Sequence, residues 1–459
     1  MNGNSERLIH DLTTGSISRQ LLVFSAPLFL SGLLQTTYNM VDMIVVGNFV
    51  GSVGLAAVTN GGEILNFLTF LAFGFSSAGQ IILSQYVGAG RMNHVGRLIG
   101  TLITSIITIA VVMTVICLAL RNSMLGWINT PIEAWNATCA YVTVSCLGLI
   151  FIFGYNMISA IFRGFGDSKH PLLFVAVTSV LNVILDILFI AVAGWGVTGA
   201  AIATVISQAV SFIWASIFLY RKRSLLGFDF KLRSFVIDPQ IFPILLRLGI
   251  PMALQTAAIT SSRLFIASWI NSYGVIATAV TGIGNKIASI TSVFSNAVST
   301  AGSSMIAQNI GACKYERVPR IIGTSMLVDG AVVAVFILIT ILWPRAIFGL
   351  FTSDTAVLDM SALYIPNLIV QYCSCMLRPP MQSLINGSGY AKMNLAVALI
   401  DGIFARLGFA ILLGTVFGLG IQGLWYGNAL ASYAPFFIGG LFYIKGSWKT
   451  RQYIIKESV

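Results

Sequence analysis

Apolar runs of membrane-crossing length recur along the whole chain, separated by short polar turns. Read as helices of roughly 20 residues, they fall at about 18–42, 55–80, 95–119, 135–160, 171–193, 198–220, 241–270, 275–305, 318–343, 357–385, 393–416 and 421–444. The pattern predicts an all-α polytopic membrane protein with twelve transmembrane helices. The longest polar interruption, about residues 221–240, carries Arg221-Lys222-Arg223 and Asp238-Pro239 and divides the chain nearly in half. Five segments follow: a polar cytoplasmic lead at 1–16, an N-lobe of six spans at 17–220, a cytoplasmic linker at 221–240, a C-lobe of six spans at 241–444 and a cytoplasmic tail at 445–459. The lead shows no small-residue cleavage site behind a short apolar core, so the first span is read as an anchor.

The halves resemble each other at an offset of 223 or 224 residues. Pro27 matches Pro251, Tyr141 matches Tyr364, and Gly164-Phe165-Gly166 matches Gly387-Ser388-Gly389. Gln85-Tyr-Val-Gly-Ala89 matches Gln308-Asn-Ile-Gly-Ala312. Six spans return the chain to the side on which it began, so the repeats are parallel, related by an axis along the membrane normal. Two such lobes around a central cleft suit alternating access.

Only 9% of residues are charged, against about 25% in a soluble domain. The net charge of +11 lies in no basic helix or aromatic-interleaved patch, which argues against nucleic acid as a partner. Topology accounts for it. With the N-terminus inside, 19 Lys and Arg lie on the inner side and two, Arg121 and Arg345, outside. That bias places both termini in the cytoplasm, for a multi-pass plasma-membrane protein whose partner is the lipid bilayer. The six cysteines form no CxxC pair, so a zinc site or a disulfide framework is not expected. The three histidines sit at cytoplasmic edges, and no HExxH or GxSxG occurs, which argues against an enzyme. Gly194-Trp-Gly196-Val-Thr-Gly199 fits GxGxxG, but it joins two apolar spans and recurs as Gly418-Leu-Gly420-Ile-Gln-Gly423. A tight outer turn is expected, and a dinucleotide site is not.

The candidate chemistry lies in polar residues inside apolar helices. Asn182 and Asp186 are four residues apart, so they share a helix face. A carboxylate there is costly and usually faces a bundle interior or a wet cavity. The alternative is a structural hydrogen-bond knot. Asp42 closes the predicted first span yet precedes Met-Ile-Val-Val, which suggests burial. Burial and a neighbouring carboxylate both favour the neutral form of an acid, so two acids on one cavity can exchange a proton near neutral pH. The same oxygens, with an amide and a hydroxyl, can hold Na⁺. Glu63, Asp329 and Asp401 are read as structural, the last two as partners for Arg406, Arg378 or Lys286. Pro27 and Pro251 each free a backbone carbonyl inside a span and act either as static kinks or as hinges.

These features resemble the multidrug and toxic compound extrusion (MATE) family over nearly the whole chain. The likeness rests on the two six-span lobes, on Pro27…Gln35…Asp42, on Gln85-Tyr-Val-Gly-Ala-Gly90 with its twin, and on Arg163-Gly-Phe-Gly-Asp167. It is stronger to the branch named after DNA-damage-inducible protein F. The resemblance implies a cation-coupling site in the first lobe at Asp42, Asn182, Asp186 and Thr204, open to H⁺ or Na⁺. It implies supporting roles for Tyr141, Asn156 and Gln35, and bending of the first span at Pro27. It further implies export of amphipathic, often cationic, drugs driven by inward H⁺ or Na⁺; a monomer with no cofactor beyond the coupling ion is expected. A flippase for lipid-linked sugars, or an exporter of a specific metabolite, is the alternative. A branch with a second-lobe cation site carries a glutamate in the seventh span, where this chain has no acid.

Overall fold

A computed structural model describes residues 9–449, and the described residues are helical without strands. Among the described residues, nine helices are long and apolar enough to cross a membrane. Ile132–Leu147 and Leu149–Gly164, bent by 49° at Gly148, act as a tenth. Val275–Gly311, rich in Ser, Thr and Asn, is the eighth span, and Gly420–Ala431 with Ala434–Lys445 is the twelfth. The expected spans hold, but several run longer. The first helix extends to Phe49, so Asp42 sits inside it, and the expectation that Asp42 closes the span is corrected. Met43-Ile-Val-Val46 continue the apolar run, and the helix passes through Gly47 and Asn48 before it ends at Phe49, ahead of Gly51, whose φ is 82°.

The chain forms two compact units. One holds His10 and Leu30–Ala253; the other holds Asp11–Phe29 and everything described after Leu254. The division falls inside the first and seventh helices, three residues beyond Pro27 and Pro251 respectively. Apolar contact explains it. Leu21 and Phe24 pack with Val298, Met305, Ile385 and Trp448 of the second unit. The start of the seventh span packs in the first unit, where a Cβ on Gly74 would lie 2.6 Å from the Gly249 carbonyl oxygen. The polar segment ahead of the first span is tied to the second unit. Leu12 N–H donates to Gln308 Oε1 and Asn309 Nδ2 to the Leu12 carbonyl, both at 3.0 Å, and Lys314 Nζ donates to Thr13. Burial works against the Asp11 charge, but hydrogen bonds from Thr13 and Thr14, aided by Lys314, outweigh it and hold the carboxyl below its ordinary value.

The backbone repeats as the sequence does. Gly194 and Gly196 have φ of 70° and 55°; Gly418 and Gly420 have 66° and 56°. Left-handed conformations at both positions are what a tight turn asks of glycine, so the GxGxxG run is a turn in each half. Close approaches repeat too. Gly61 lies against the Tyr141 ring and Gly284 against Tyr364. A π-helical turn at Ile400–Ala405 accounts for the later change of offset, since it takes up one residue more than an α turn. The offset is 224 at Pro27 and Pro251 and 223 from Tyr141 and Tyr364 to Gly166 and Gly389; past the π turn, at Gly194 and Gly418, it returns to 224.

One cysteine expectation is overturned. Cys117 and Cys146, on the third and fourth spans, form a disulfide with Cα atoms 6.7 Å apart. Their separation of 29 residues carries no motif; only helix packing brings them together. Asp401 pairs with Arg406 at 2.6 Å, both fully buried. Asp329 is fully buried with both oxygens outside ordinary hydrogen-bond geometry, and Arg378 lies in electrostatic range. Glu63 is exposed.

Candidate cation-coupling site

Within the first unit, helix periodicity turns Asn182 and Asp186 to one buried face of the fifth span, Lys169–Val192. Asp186 ends the α-helical part, and the chain continues as a π-helical turn over Ile187–Val192. π turns recur at functional sites because they re-aim side chains. Across from this face, Thr204 on the sixth span, Gly196–Arg221, accepts a hydrogen bond from Asn182 Nδ2 at 3.4 Å. Asp42, 8% exposed, lies close enough to Asp186 for the two carboxyls to interact electrostatically.

Four oxygens of this group have no hydrogen-bond partner among the described residues: Asp42 Oδ1, Asn182 Oδ1 and both oxygens of Asp186. Orphaned buried acceptors are costly in a protein interior. Among the described residues, no Lys or Arg acts on either acid. The two acids thus lie near an amide and a hydroxyl, with no compensating cation among the described residues. An all-oxygen donor set suits a proton or a hard monovalent cation. Among the described residues no three His, Cys, Asp or Glu side chains gather as a multivalent metal site would need.

The supporting residues divide. Tyr141 is buried, and its ring is near Asp42, Asp186 and Tyr38. It packs with Val45, Val58 and Ile190 against Gly61. Gln35 is exposed and reaches the group only through Tyr38. Asn156 does not join it: its Nδ2 donates to the Ile152 carbonyl at 2.8 Å, one turn back on its own helix. Tyr38 and Gln208 were not singled out from the sequence. Tyr38 interacts with Gln35, Gln208, Asp42 and Asp186. Tyr38 lies four residues before Asp42, and Gln208 four after Thr204, so helix spacing from those two residues finds both. Pro27 falls in the second unit and Pro251 in the first, away from this cluster in the chain order of each helix.

Comparison with known proteins agrees with this architecture. The probable multidrug resistance proteins YoeA and YpnP of Bacillus subtilis (strain 168) are each 28% identical to this chain. The alignment to YoeA covers 95% of both chains; that to YpnP covers 96% of this chain and 98% of the relative. A solved structure described as an outward-facing multidrug resistance MATE family transporter of the MOP superfamily superposes with a TM-score of 0.88. It is 22% identical, with 98% of this chain and all of that one covered. The MatE family model matches residues 27–188 and 251–419, one segment in each half. This chain is therefore a multi-pass membrane transporter, not an enzyme, and it belongs to the MatE (multidrug and toxic compound extrusion) family.

Proposed function

We propose that this protein is a secondary active exporter of amphipathic small molecules, driven by inward H⁺ or Na⁺ at Asp42, Asn182, Asp186 and Thr204. The observation that carries the reading is the pair of buried acids, Asp42 and Asp186, within electrostatic range of one another and with no Lys or Arg among the described residues acting on either. A group with that arrangement binds and releases a positive charge with little other rearrangement, because the empty and loaded forms differ by one charge in a low-dielectric site. The Bacillus subtilis relatives are named probable multidrug resistance proteins, which supports drug-like molecules as the cargo. Pro27 and Pro251 act as hinges in this reading, since the division between the units falls three residues past each. The protein works as a monomer in the plasma membrane, with both termini cytoplasmic.

The test is uptake of a fluorescent cationic dye into inverted vesicles, the counterpart of export from the cell, under a pH gradient alone and under a Na⁺ gradient alone. Asp42→Asn and Asp186→Asn should each abolish gradient-driven export while the protein stays in the membrane. The gradient that drives wild-type export names the ion. Normal export by both variants would move the coupling site elsewhere.

A further inference from the structure

The repeat places a counterpart of the cation site in the second unit, and its charge is reversed. At the offset of 224, Asp42 corresponds to Ile266, Asp186 to Ala410, Asn182 to Arg406 and Thr204 to Asn428. The contact recurs between the same two positions, with different groups. Asn182 donates to Thr204 in one unit, and Arg406 donates to the Asn428 carbonyl at 3.1 Å and to its side-chain oxygen in the other. Two acids have been replaced by apolar residues and an amide by a guanidinium.

A cavity of about 280 Å³ lies beside this position, lined wholly by residues of the second unit. Its polar wall carries Arg263, Asn285, Asn367, Gln371 and Asn428. Its apolar wall carries Ile266, Ile270 and the rings of Tyr364 and Trp425, the two rings packed edge to face at 4.9 Å. Arg263, the counterpart of Asn39, is exposed and makes no ion pair or hydrogen bond among the described residues. Arg378 and Arg406 are in electrostatic range of it; the acid in that range, Asp401, is already held by Arg406. Independently, Asn367 is fully buried in the same wall, and neither its oxygen nor its nitrogen makes a hydrogen bond of ordinary geometry, although the Tyr364 hydroxyl is close.

We infer that this cavity binds the carboxylate of an amphipathic small molecule, with the anion on Arg263 and Asn367 and the apolar body against Ile266, Tyr364 and Trp425. Arginine presents a planar fork that matches a carboxylate in two places. An amide nitrogen supplies a further donor, and aromatic walls accept a flat apolar body. The volume approaches the lower end of small-molecule pockets. The inference goes beyond the exporter reading. It names an anionic group that the first-unit site would repel.

Binding is measured by calorimetry on the full chain in phosphatidylcholine nanodiscs, corrected with empty nanodiscs and without any gradient. The probes are 1-naphthoate and 1-naphthylmethylammonium, alike in size and opposite in charge. Wild type should bind naphthoate about tenfold more tightly or better. Arg263→Gln should erase that preference, Arg263→Lys should keep part of it, and Asn367→Ala should weaken naphthoate alone. Arg263 is exposed and unpaired, so its replacement leaves the fold intact; a melting curve checks this. Equal binding of the two probes, a preference for the ammonium, or a preference that survives Arg263→Gln overturns the proposal. So does acetate or chloride binding as tightly as naphthoate, which would mark an inorganic-anion site. Loss of dye export in the preceding test does not touch this readout, so the two readings fail separately.

Discussion

Gly61 offers a test of how closely Tyr141 is held beside the acids. A Cβ at position 61 would lie 2.4 Å from Tyr141 Cδ1 and 3.1 Å from Cε1. At Gly62, the next residue of the same helix, it would meet nothing within 4 Å. Alanine in place of a helical glycine adds about 1 kcal/mol of intrinsic helix stability at either position. The two variants therefore differ only in the clash. Ordinary van der Waals contact starts near 3.4 Å, so the ring must retreat by about 1 Å. Tyr141 is 6% exposed and packed among Val45, Val58 and Ile190, with little room to do so. Overpacking of this kind costs about 1–3 kcal/mol. Gly61→Ala should fall below Gly62→Ala by that difference in denaturant unfolding of the protein in detergent. It should also lose dye export at equal expression, because the displaced ring borders Asp42 and Asp186. A Gly61→Ala protein as stable and as active as Gly62→Ala would refute the close packing of Tyr141 at the site.

Asp401→Asn should destabilise by about 3–5 kcal/mol, since it leaves Arg406 charged and buried with only the neutral oxygens of Asn428 and Ser432. Replacing both partners with Asp401→Leu and Arg406→Met should cost less than the single change, as measured in the same unfolding assay; a double variant worse than either single one would reject the pair as the cause. Ahead of the first span, the lowered carboxyl of Asp11 contributes stability above its ordinary value of 3.8, which is lost as pH falls through its lower folded value. Amide exchange at Thr13, whose N–H donates to Asp11 Oδ1 at 2.8 Å, should accelerate only in that acid range, and at all pH values in Asp11→Ala; exchange that ignores both changes would dismiss the contact.

Much of this protein is determined locally. Twelve apolar stretches, the glycine turns at 194–199 and 418–423 and the near-constant repeat offset depend on neighbours in sequence, and helix periodicity alone put Asn182 and Asp186 on one face. The positions of Asp42 and Asp186 as acids in apolar surroundings were equally legible, because a charge inside a hydrophobic run stands out without any structure. The tertiary structure decided what those residues meet. It brought Tyr38 and Gln208 to the acids and left Asn156 bonded to its own helix. It joined Cys117 to Cys146, divided the first and seventh helices between units, and gathered Arg263 and Asn367 around a cavity. Each of these depends on the rotation and closeness of helices far apart in the chain. Periodicity sets which face of a helix is polar, but packing of apolar surface sets which two faces touch.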